Sequence, residues 1–185
     1  IGHEYFHDIF HKIVTKPIQK FEKIEDNLTS RQLYHTFLFR ALNEALADVW
    51  GWIYSDDFQF VKKSDPRFEW RDLNTRVKNF YTKEQIQDKS ASYLSSDAEA
   101  YQVGQMYSYQ IFSAVKKAIE EKVVENKAQA NMLVAKSILK MLSNLQKEYV
   151  QMTDTDLLDP MKPLSLLQEQ IPDFKIMPPK KESTK

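Results

Sequence analysis

The stretch from Arg31 to Tyr54 carries Leu38, Leu42, Ala45, Val49, Trp52 and Ile53, an apolar stripe at spacings of three and four. That period belongs to a helix burying one face. A helix of this length spans roughly 36 Å in a chain of 185 residues. Asn27, Thr29 and Ser30 stand before it and are good capping residues.

Shorter stretches repeat the pattern. Phe6, Phe10, Ile13 and Val14 predict a first helix over residues 3–14, with Pro17 closing it or standing just beyond its end. Residues 17–29 are mixed and charged and read as a connection with one short turn. A third helix is expected over 98–124, capped by Asp97, with Val103, Met106, Tyr107, Phe112, Val115 and Ile119 as its apolar contacts. A fourth is expected over 131–152, with Leu133, Val134, Ile138, Met141, Leu142, Leu145 and Tyr149 inward, and a short one over 164–170. Residues 55–96 are the least periodic. Turn signals at Ser64-Asp65-Pro66 and Asp72-Leu73-Asn74, with Phe58, Phe60, Phe68, Trp70, Phe80 and Tyr81 among them, predict a long packed loop. The tail from Pro172 reads as loosely attached. Only 3 glycines occur, which argues further against an all-β chain. The expected class is all-α: one helical domain over residues 1–171 and a tail over 172–185.

Charge and cysteine content narrow the function. Lys+Arg and Asp+Glu are both 26, so the basic excess of a nucleic-acid or anionic-membrane binder is missing. No stretch has the apolar length of a membrane span. There is no cysteine, so any bound metal must be held by His and carboxylate. That leaves the compartment open; a secreted or periplasmic protein is the expectation.

Two short motifs carry chemistry. His3-Glu4-Tyr5-Phe6-His7 is His-Glu-x-x-His. Residues four apart lie one above the other on a helix, so His3 and His7 can aim two imidazole nitrogens at one point, with Glu4 beside them. Two His nitrogens and one further ligand leave a zinc ion a position for water. Asn43-Glu44-Ala45-Leu46-Ala47-Asp48 then places two carboxylates four apart at the border of the long helix's apolar stripe. Taken alone, the second motif would read as a charged helix edge. His11 shares the face of His7 but stands roughly 12 Å along the axis from His3, too far to share an ion. His35 reads as structural.

The pair of motifs resembles the gluzincin metallopeptidases, particularly the thermolysin-like branch, in which Asn-Glu-x-x-x-Asp on a following helix completes a His2Glu zinc site. The resemblance covers residues 2–8 and 42–51. It implies the helical C-terminal lobe of such an enzyme, with His3, His7 and Glu44 as ligands of Zn2+. It implies Glu4 as the general base and Asp48 as the carboxylate behind His3, and a peptide or protein as substrate. The family's oxyanion-binding His has no counterpart, since no His follows His35. Tyr101, three residues before Gly104, is the expected donor in its place. In that family a sheet precedes the first motif and pairs with substrate, so an N-terminal portion or a second chain is expected to complete the cleft. The rival readings are a non-catalytic interaction domain on the same scaffold and a zinc hydrolase acting on another amide or ester.

Overall fold

The structure is a computed structural model and describes residues 2–21, 28–64, 71–74, 77, 80–91 and 97–176. Among these residues the chain is all-α, with no strand. The elements are α1 (Gly2–Phe10), a π-helical turn (His11–Thr15), α2 (Lys16–Phe21), α3 (Ser30–Ser55), α4 (Phe60–Ser64), α5 (Lys83–Ala91), α6 (Asp97–Glu120), α7 (Lys127–Gln151), α8 (Lys162–Gln170) and a 3₁₀ turn (Pro172–Phe174). No helix among the described residues is long and apolar enough to cross a membrane.

α3 is the axis of the fold. It opens on a reciprocal cap in which the Thr29 side chain accepts from Gln32 N–H and the Gln32 side chain accepts from Thr29 N–H. α1, α5 and α6 pack around it. Burial therefore extends beyond the expected stripe to Tyr34, Phe37, Ala41, Leu46 and Ala47. A helix apolar on most of its circumference belongs inside, not on a surface. The crossing with α6 is close. A Cβ on Gly104 would meet the Ala41 carbonyl oxygen at 2.6 Å, so the absent side chain sets the helix separation there.

Three sequence expectations are corrected. The first helical run does not stop at Pro17. The π turn, with bonds such as Lys16 N–H to the His11 carbonyl, leads straight into α2, and Pro17 occupies the first turn of the new helix. The stretch from 55 to 96 is not only loop, since it contains α4 and α5. Residues 172–176 are packed rather than loosely attached, because Phe174 and Ile176 are buried. The turn at Ser64-Asp65-Pro66, the side chains of Phe68 and Trp70, the Asp97 cap and the tail from 177 lie outside the described residues.

The segment between α7 and α8 has little structure of its own and is pinned by side chains. Tyr34 donates to the Leu158 carbonyl at 2.7 Å and Tyr107 to the Pro160 carbonyl at 2.7 Å. Burial raises the pKa of both phenols, so they remain donors. Leu158 N–H donates to His35 Nε2 at 3.1 Å. His35 is thus structural, as expected, and its pKa is lowered to about 4. Burial is the main cause and the Arg31 charge the next, with a backbone acceptor at Arg31 opposing them. A base whose pKa falls on folding binds fewer protons in the native state, so its stabilising effect is complete above about pH 6.5 and is lost as pH drops toward 4. The expected result is a loss on the order of 3 kcal/mol across that window. Urea unfolding of wild type and His35→Gln against pH checks this: the wild-type curve should fall more steeply, and parallel curves would contradict it.

Candidate metal centre

The site forms where α1 crosses α3. His3 and His7 are one turn apart on α1, and Glu44 and Asp48 are one turn apart on α3. Two glycines shape the approach. A Cβ on Gly2 would meet the Tyr54 side chain at 2.9 Å, and one on Gly51 would meet the Phe60 ring at 2.4 Å. The bare backbone at Gly51 lets Phe60 lie over α3, and its ring stands 6.1 Å from that of His3.

The donor atoms converge. His3 Nε2 and His7 Nε2 are 3.1 Å apart, and Glu44 Oε2 lies 3.7 Å from the first and 3.9 Å from the second. The point equidistant from the three lies about 2.1 Å from each, within the roughly 2.0–2.2 Å of zinc–imidazole and zinc–carboxylate bonds. Among the described residues this is the one set of three His, Asp or Glu side chains close enough to share an ion. His7, at 25 % exposure, is the most open of the three, so solvent reaches the donors.

The outer contacts favour the same use. His7 Nδ1 is 3.1 Å from Asn43 Oδ1, and His3 Nδ1 is 3.1 Å from Asp48 Oδ1. The Asn43 oxygen holds the proton of His7 on Nδ1, which leaves a lone pair on its Nε2. His3 Nε2, 3.1 Å from that lone pair, meets it favourably only with a proton or a cation between the two nitrogens. The His3–Asp48 contact is close but outside hydrogen-bond alignment, so it acts as an electrostatic contact.

Asp48 is bonded chiefly to a residue that sequence reasoning missed. Arg71 donates from Nε to Asp48 Oδ2 at 3.1 Å and from its NH2 group to Asp48 Oδ1 at 2.7 Å, a fork with both partners under 10 % exposed. The same NH2 group stands 3.5 Å from Glu44 Oε2. The Arg71 guanidinium lies over the Tyr101 ring at 4.3 Å from its centre. A buried carboxylate pair calls for a cation, but nothing in the sequence selects Arg71 among 26 basic residues.

The predicted residues therefore divide. His3, His7 and Glu44 come together, and Asp48 stands behind His3. Tyr101 is joined to the carboxylates through Arg71, whose guanidinium lies over its ring. Glu4 is exposed and is not one of the converging donors. His11 is exposed at the start of the π turn, and His35 is buried against Tyr34, Phe39 and Tyr149. No protein-family model, curated protein or solved structure matches this chain.

Proposed function

We propose that this chain is the helical lobe of a zinc-dependent metallopeptidase, in keeping with the resemblance of its two motifs to the thermolysin-like gluzincins. The observation that carries the reading is the convergence of His3 Nε2, His7 Nε2 and Glu44 Oε2 on one point at bonding distance for zinc. These three residues would hold the ion. A bound zinc ion supplies Lewis acidity and makes water a better nucleophile near neutral pH.

The chain's own residues do the rest. Glu4 follows a ligand on α1 but is rotated about 100° from it, so it serves the reacting water rather than the ion. It accepts a proton from that water and returns it to the leaving amine of the peptide. Asp48 and Asn43 fix the two imidazoles. Tyr101, whose ring lies under the Arg71 guanidinium, would donate to the oxyanion that forms on the substrate carbonyl. The substrate is a peptide or protein. A further segment or a second chain supplies the strand that aligns it.

The test is hydrolysis of a mixed peptide library, read by mass spectrometry, with zinc-loaded, chelator-treated and zinc-restored protein. Cleavage lost on chelation and regained with zinc is the expected result. Zinc bound without turnover would make the chain a non-catalytic interaction domain.

A further inference from the structure

Arg71 is nearly buried, at 7 % exposure, in a place where a lone guanidinium would be costly. Its strongest bonds go to Asp48, the carboxylate facing His3. Its weaker contact is with Glu44 Oε2, the oxygen that belongs to the donor triangle. One NH2 group therefore touches both acids of the second motif. Glu44 and Asp48 lie one turn apart on the same side of α3, each mostly shielded from water, and their negative charges repel. Tyr101 offers its ring face to the same guanidinium and so backs it with a third contact.

We propose that Arg71 is a built-in counter-cation of the centre. It balances Glu44 and Asp48 and holds them in register with His3 and His7 whether or not an ion is bound, and its charge sets how tightly an ion is taken. The inference rests on the metal reading of the site given above. Arg71 is a positioning residue here, acting on the ion only through Glu44 and Asp48. Charge balance explains why both properties move together. Without Arg71, the two carboxylates depend on the metal for compensation. With Arg71, the donors are assembled in advance, and the like charge nearby weakens the pull on a divalent cation. A pair serving only to glue the loop to α3 would affect the protein equally with and without metal.

The experiment compares wild type with Arg71→Met, each chelator-treated or zinc-loaded, by thermal unfolding and by titration with zinc chloride. Breaking a buried pair in a chain of this size should lower the melting temperature of the chelated variant by about 10 °C or more. Zinc should restore at least half of that loss, and the variant should bind zinc about tenfold more tightly, or better, than wild type. Equal losses in both conditions, or weaker zinc binding by the variant, would overturn the proposal. Should Arg71→Met fold in neither condition, Arg71→Lys decides. It keeps the charge, so its zinc affinity should stay within about threefold of wild type, and a tenfold rise would refute a charge-based role. A third arm needs no metal. In chelator, adding Asp48→Asn to Arg71→Met removes one uncompensated charge and should recover about half of the lost stability or more, whereas no recovery would count against the proposal. Failure of wild type to take up zinc would defeat the metal reading alone, because the Asp48→Asn rescue still tests Arg71.

Discussion

Glu4→Gln should leave the protein folded and zinc-binding while lowering peptide hydrolysis by about 10²–10⁴, the usual contribution of a general base. The substitution keeps the shape of the side chain and removes its basicity. Glu4 is exposed on α1 and stands outside the donor triangle, so neither packing nor the ligand set changes. The loss should fall mainly on kcat, because proton transfer matters in the transition state more than in substrate binding. Zinc content, far-ultraviolet circular dichroism and steady-state kinetics, measured on the same preparation as an active wild type, check it. Near-normal turnover by Glu4→Gln would remove Glu4 from the chemistry.

Glu44→Ala should abolish stable zinc binding without unfolding the chain. Structural zinc sites with four ligands have apparent binding energies of about 10–16 kcal/mol, so one ligand accounts for roughly 3–4 kcal/mol, or about 10²–10³ in affinity. Hydrolysis should disappear with the metal. Stability should change little, because Arg71 keeps its fork to Asp48 after Glu44 is removed. Elemental analysis after dialysis, with thermal unfolding in chelator, separates the two effects. Zinc retained at wild-type stoichiometry would show that Glu44 is not a ligand. Lost zinc together with a large drop in chelated stability would show that Glu44 matters more to the fold than to the ion.

The long helices were legible because their signal is local. Leu38, Leu42, Ala45, Val49 and Trp52 repeat with the helical period, and each is buried on α3. Boundaries were legible where a cap was written in the chain, as with Thr29 and Gln32. They were misread where a local rule met a compensating geometry. Pro17 ends an ordinary helix, but a π turn before it lets a new helix start almost at once. Phe174 and Ile176 looked like tail because their partners are distant in sequence, and burial there depends on tertiary packing. His35 has no local signature, since its partner, Leu158 N–H, lies 123 residues away.

The same division runs through the candidate centre. Ligand spacing is a property of helix geometry: His3 and His7, like Glu44 and Asp48, are four apart and must share a face once the helices form. Residue types and spacing thus put each pair on one face, and the resemblance of the two motifs joined His3, His7 and Glu44 into one candidate set. That α1 would cross α3 at the height of Glu44 depended on packing, including the bare backbones of Gly2 and Gly51 against Tyr54 and Phe60. The arrival of Arg71 between Asp48 and the Tyr101 ring was hidden altogether. It comes from the least periodic part of the chain, 23 residues beyond its partner, and only the folded path of that segment decides which cation meets the buried carboxylates. Periodicity is short-range and can be read along the chain, whereas charge compensation inside a fold is long-range and depends on which segments the packing brings together.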